Sequence, residues 1–121
     1  MITPPEVFKS LADETARQAR DYLMAYHEQE ISLQTLAQAC GTDRFRLTRA
    51  FKAAYGLAPH AWLIQLRLSR GRQMLAAGVQ PVDVASRLGF ADQSHLGRWF
   101  VRAYGITPGA YQQRAGGSIR R

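Results

Sequence analysis

Residues 96–111 read LGRWFVRAYGITPGAY, and residues 47–62 read LTRAFKAAYGLAPHAW. Aligned at an offset of 49, Leu47, Arg49, Phe51, Ala54, Tyr55, Gly56, Pro59 and Ala61 recur as Leu96, Arg98, Phe100, Ala103, Tyr104, Gly105, Pro108 and Ala110. Trp62 answers to Tyr111. Upstream, Ala37 and Gly41 recur as Ala85 and Gly89 at an offset of 48, and the one-residue change falls where a turn absorbs an insertion. Ten identities in the same order are hard to obtain by chance. The chain therefore holds two copies of one unit: short helix, glycine turn, longer helix, Tyr-Gly stop, then x-x-Pro.

Outside the copies the pattern is also helical. Apolar residues recur at helical spacing, strand-like alternation is rare, and Gly and Pro punctuate at regular intervals, so the chain reads as all-α. A short helix is predicted to open near Pro4, with Thr3 as cap and Val7, Phe8 and Leu11 on one face. Asp13 is predicted to cap a second helix from about Glu14 to Gln29, with Ala19, Leu23 and Tyr26 inward. Ser32 caps Leu33 to about Ala39, with Leu33, Leu36 and Ala37 inward; Asp43 caps a helix ending at Gly56. A long helix runs from about His60 to Ala77, stopped by Gly78. Val82–Leu88, Gln93–Tyr104 behind Asp92, and a short helix from Pro108 through about Arg114 complete the set. The architecture is two helix-turn-helix subdomains joined by a long linking helix, about seven helices plus the short N-terminal one. The divisions fall at 1–14 (linker and short helix), 15–57 (first subdomain), 58–78 (linking helix), 79–114 (second subdomain) and 115–121 (disordered tail).

Charge is distributed unevenly. The formal total is +7, yet residues 1–40 carry three basic residues against six acidic ones, a net of −3. Residues 41–121 carry thirteen basic residues against Asp43, Asp83 and Asp92, a net of +10, and all thirteen except Lys52 are Arg. A solvated basic face would look the same. A polyanionic partner would exploit it, because each phosphate neutralised releases condensed counterions. Arg is also the side chain suited to bidentate contacts with phosphate or guanine. Cys40 is the only cysteine, so no internal disulfide can form, and the chain fits a reducing compartment. With no apolar run of spanning length and no signal-peptide pattern after Met1, the expected location is the cytoplasm, with no membrane partner.

Short helix, tight glycine turn and second helix make a helix-turn-helix, whose second helix is the candidate for insertion into the major groove. At about 100° per residue, Ala50, Phe51 and Ala54 fall with Leu47 on one side of the first such helix. Phe45, Thr48, Arg49 and Lys52 fall on the other, with Arg46 at the flank. In the second copy Trp99, Phe100 and Ala103 join Leu96, while Ser94, Gly97, Arg98 and Val101 point away and His95 and Arg102 flank. Each outward face carries an arginine at the matched position.

The second copy also reads Val82-Asp83-Val84-Ala85, then Gly89-Phe90-Ala91-Asp92-Gln93-Ser94-His95-Leu96, Arg98, Phe100, Tyr104-Gly105, Thr107-Pro108 and Tyr111. The first matches with Leu36-Ala37, Gly41, Leu47, Arg49, Phe51-Lys52, Gly56 and Pro59, and the linking helix with Arg67-Leu68 and Leu75. Over residues 31–114 the chain resembles the AraC/XylS family of transcription regulators. The resemblance implies two recognition helices entering adjacent major-groove segments on one face of double-stranded DNA, about 34 Å apart. It maps base contacts onto Arg44, Phe45, Arg46, Thr48 and Arg49, and onto Gln93, Ser94, His95, Gly97 and Arg98. Ser32, Lys52, Arg70 and Arg102 are the phosphate candidates. It further implies a regulator, an activator in kind, that works with RNA polymerase in the bacterial nucleoid. The DNA-binding unit is expected to be monomeric, with dimerisation of a longer protein through an N-terminal domain outside this chain. Two departures stand out: Val101 replaces Lys52, and Gly97 replaces Thr48. The second unit is therefore expected to contribute less base specificity than the first.

Other readings stay open at this stage. Arg49 and Arg98 can touch base or phosphate; Phe45 can meet a thymine methyl or pack on its own domain; His95 can face DNA or solvent. Phe51, Phe100, Trp62 and Trp99 read as core, Cys40 as a small buried hydrophobe, and His27 and His60 as structural or exposed. One Cys and three scattered His lack metal-ligand spacing, and no nucleophile–base pair or phosphate loop converges, so neither metal, cofactor nor enzyme chemistry is expected. The competing functions are the DNA-binding module of a methyl-transferring repair protein, which would need a reactive cysteine, and a protein-interaction bundle without DNA affinity.

Overall fold

The computed structural model describes residues 4–117. Seven helices and no strands occur among them: α1 (Pro4–Tyr26), α2 (Leu33–Ala39), α3 (Arg44–Tyr55), α4 (Pro59–Ala76), α5 (Pro81–Leu88), α6 (Gln93–Tyr104) and α7 (Pro108–Gly117). The all-helical class follows the sequence. The N-terminal segment does not. The two helices predicted there are one, and Asp13 caps nothing: it lies inside α1, paired with Lys9 one turn earlier at 3.6 Å. Arg17 pairs with Glu14, also along the helix. No Gly or Pro interrupts residues 6–26, so the helix has no reason to stop once Asp13 finds a cation on its own surface. The expected Thr3 cap, the side chains of Val7 and Phe8, and residues 118–121 of the expected tail lie outside the described residues. At the other end α7 continues to Gly117, three residues past its predicted stop.

Two compact units divide the chain, residues 1–63 and 64–121. In the first, α1 packs chiefly on α3. Ala19, Leu23, Leu36, Ala37, Leu47, Phe51 and Leu63 form a closed core, edged by Tyr22, Ile31, Cys40, Tyr55 and Trp62. The small Ala16 and Ala19, both fully buried, let the α1 backbone approach closely. In the second unit Ile64, Leu68, Leu75, Val84, Ala85, Leu88, Phe90, Leu96 and Phe100 form the core.

The sequence repeat reappears as repeated geometry. Phe51 meets Tyr55 edge-on at 4.8 Å, and Phe100 meets Tyr104 at 4.8 Å. Phe51 meets Trp62 at 5.8 Å, and Phe100 meets Tyr111 at 5.6 Å. Both α3 and α6 are started by an aspartate: Asp43 accepts from the Arg46 N–H and Asp92 from the His95 N–H, both at 2.8 Å. Each is stopped by a glycine in the left-handed region, Gly56 (φ 82°) and Gly105 (φ 79°), where a Cβ would clash with its own backbone. Four inward expectations fail. Ala54 and Ala103 are exposed, Tyr26 is 43% exposed, and Leu33 is 37% exposed. Each lies at a helix end, where the apolar stripe has run past the partner that would cover it.

Candidate nucleic-acid interface

In the first unit the face of α3 turned from the core is cationic. Arg44, Arg46, Arg49 and Lys52 are all exposed, and Thr48 is half-buried beside them. Phe45 is 76% exposed, the most open large apolar side chain among the described residues. The Arg49 guanidinium lies 5.7 Å from the Phe45 ring centre, a cation–π contact that holds both on one ridge. Asp43 holds the base of that ridge, its carboxylate pairing with Arg46 Nε at 3.5 Å. Arg44 and Arg46 sit in the first turn of α3, which has no acidic residue of its own; Asp43 at the cap is the one carboxylate against it. The positive end of the helix dipole opposes cations there, by a few tenths of a kcal/mol each at roughly the surface scale. The fold gains little from such arginines, and an anionic partner would gain much.

In the second unit Gln93, Ser94, Arg98 and Arg102 are exposed along α6. With Gly97, Val101 and the start of α7 at Thr107, Pro108 and Gly109 they line an open cleft. Arg102 stacks over Trp99 at 5.1 Å. His95 faces its own unit instead. Its ring meets Phe90 edge-on at 5.4 Å, and its two nitrogens stand 3.2 Å from the Ala91 N–H and the Trp99 indole N–H. A neutral imidazole has a single acceptor nitrogen, so it satisfies one of these donors at a time. The sequence, which offers DNA or solvent for His95, does not show this packing.

The phosphate candidates are scattered in character. Lys52 and Arg102 are exposed, whereas Arg70 is half-buried and its Nε has no hydrogen-bond partner. The Ser32 hydroxyl is already engaged, accepting from the Thr35 N–H at 3.0 Å and donating to the Thr35 hydroxyl at 2.9 Å.

The model of the helix-turn-helix domain family matches residues 36–114, which span both of these helices and the segment between them. The chain belongs to the AraC-type helix-turn-helix family. The HTH-type transcriptional regulator MtrA of Neisseria gonorrhoeae is 34% identical over 90 residues, covering 74% of this chain and 30% of that protein. The RCS-specific HTH-type transcriptional activator RclR of Escherichia coli K12 is 34% identical over 84 residues, covering 69% of this chain and 30% of that protein. The chain spans about a third of the length of the curated relatives it matches. Among solved structures, the DNA-binding domain of AdpA, in complex with a target DNA, has a TM-score of 0.81 at 26% identity, covering 88% of this chain and 96% of that one. An AraC-type DNA-binding-domain regulator from Chromobacterium violaceum has a TM-score of 0.76 at 26% identity, covering 84% and 91%.

For this AraC-type domain, Arg67, Arg72 and Gln112 make contacts within the second unit. Arg67 is buried, 5% exposed, with its guanidinium over the Phe90 ring at 5.8 Å; desolvation pulls its pKa down. Arg72 lies over Tyr104 at 4.7 Å. Gln112 donates to the carbonyls of Leu75 (3.0 Å) and Val79 (2.7 Å), satisfying acceptors at and beyond the C-terminal end of α4. No local pattern marks Gln112, because both partners are more than thirty residues away. Cys40 packs against the first core, and burial pushes its thiol up from the ordinary value. Nucleophilic cysteines need the opposite shift. Among the described residues no helix is long and apolar enough to cross a membrane.

Proposed function

We propose that this chain is the DNA-binding part of a sequence-specific transcription regulator, an activator that works with RNA polymerase at the bacterial nucleoid. In this reading α3 and α6 each enter a major-groove segment of double-stranded DNA, and a single copy of the chain reads a site without two-fold symmetry. Arg44, Phe45, Arg46, Thr48 and Arg49 read bases for the first unit, and Gln93, Ser94, Gly97 and Arg98 for the second, with His95 bracing Trp99. Lys52, Arg70 and Arg102 contact phosphates. Ser32 keeps its capping role and approaches a phosphate only from the exposed rim of its turn.

The observation that carries this reading is the cationic face of α3. Four basic side chains and one bare aromatic stand away from the core, two of the arginines at the helix end where the dipole opposes them. Phosphates and guanine edges reward that arrangement, whereas water does not distinguish it from any other solvated charge. The AdpA domain, a structural relative solved on DNA, supports the same assignment.

The test is in vitro selection of duplexes from a random library, followed by binding measurements on the recovered sequence. Selection should converge on one sequence that binds about a thousandfold or more tighter than random duplex. Transcription from a promoter carrying that sequence should rise when the chain is supplied. Unchanged mobility of every duplex at low ionic strength would remove the reading.

A further inference from the structure

Gly97 is the fifth residue of the twelve-residue α6, well inside the helix, with ordinary helical backbone rather than positive φ. Glycine is a poor choice there, because it loses more backbone freedom on folding than any other residue. Close packing is the usual compensation, and Gly71 illustrates it: a Cβ on Gly71 would meet Leu88 Cδ1 at 3.2 Å and Val84 Cγ1 at 3.5 Å. At Gly97 a Cβ would meet nothing within 4 Å. The fold therefore supplies no steric reason for the missing side chain. The residue lines the open cleft with Gln93, Ser94, Arg98 and Val101, at the position where α3 carries Thr48.

We infer that Gly97 is the point of closest approach between α6 and duplex DNA, its missing side chain letting the helix seat deeper in the major groove. The inference rests on the DNA-binding reading above. A helix with its side chains is about 10–12 Å across and the major groove about 12 Å wide, so the fit leaves little room on the inserted face. Removing one side chain from that face brings the backbone nearer the base edges and shortens the reach of Arg98 beside it. The stability forgone inside α6 is returned only when DNA is bound.

The test uses the full 121-residue chain and two substitutions, Gly97→Ala and Gly97→Leu, both to strong helix formers. Both should raise the melting temperature, Gly97→Ala by about 3–4 °C. Both should weaken binding to a duplex selected by the wild-type chain, in order of size, with Gly97→Leu losing at least about tenfold. Stability and affinity must move in opposite directions. A raised melting temperature with undiminished affinity in both variants would overturn the inference while leaving DNA binding intact. A lowered melting temperature in Gly97→Ala would overturn it differently, by giving the glycine a role inside the fold. Failure of the wild-type chain to bind any duplex would remove the DNA reading itself, and the inference with it.

Discussion

Arg49 and Arg98 stand at matched places on two copies of one motif, yet their neighbours differ. Arg49 has Phe45 beneath it and Thr48 and Lys52 beside it; Arg98 has Gly97 and Val101. Removing Arg49 should therefore cost more discrimination. Arg49→Ala is expected to lose about 1–3 kcal/mol of preference for the selected duplex over a one-base variant, and Arg98→Ala less. Competition binding measures both, and a larger loss in Arg98→Ala would contradict the ordering. Cys40 makes a second prediction at this scale. Its neutral thiol is favoured by burial, so the folded pKa lies above the unfolded one. The stability this contributes is present below the ordinary thiol pKa and is lost as pH rises through the folded value. Labelling by a thiol reagent near the ordinary thiol pKa should be slower than for a free cysteine and should accelerate in denaturant. Both arginines and the cysteine were legible in the sequence, the arginines through the repeat and the cysteine through its place before a turn glycine. The packing of His95 was not: it depends on where Phe90 and Trp99 are placed.

Helix starts and stops were largely readable, because capping is a local exchange of hydrogen bonds over three or four residues. Ser32, Asp43 and Asp92 all cap as expected, each accepting from an N–H three residues on. Asp43→Ala and Asp92→Ala should each cost about 1 kcal/mol in urea denaturation. Asp13 failed for an equally local reason. An aspartate before a helical run and an aspartate on a helix surface look alike unless the cation one turn back is weighed, and here Lys9 is that cation. Glu14→Pro separates the two arrangements. Behind a cap at Asp13, position 14 would be a first helical residue, where proline is welcome. Inside the continuous α1 it should cost about 3 kcal/mol. An unchanged urea midpoint would restore the two-helix reading.

Over the whole molecule the governing quantity is charge. The +10 of residues 41–121 is not all surface, since Arg67 is buried over Phe90. The phosphates neutralised on binding should number fewer than the thirteen basic residues. In a salt titration on random duplex, log affinity should fall linearly with log salt, with a slope near −0.9 per phosphate. A slope near zero would leave the basic surface without a polyanionic partner. Replacing Phe51 or Phe100 by alanine should cost about 3–5 kcal/mol, because each closes the core of its unit and supports two aromatic neighbours.

The duplication, the all-helical class, the caps at Ser32, Asp43 and Asp92 and the cationic outward faces were determined by sequence alone. The duplication is read by comparing residues 48 or 49 apart; the others depend on residues within a turn or two, where periodicity and hydrogen-bond chemistry act without reference to the rest of the chain. Tertiary structure alone decided that Arg67 and Gln112 serve the second unit's interior, that Ala54 and Ala103 lie beyond their cores, and that Gly97 is a glycine no neighbour demands. Those outcomes depend on which distant element comes within a few ångströms, and a side chain's identity does not say what will be placed beside it.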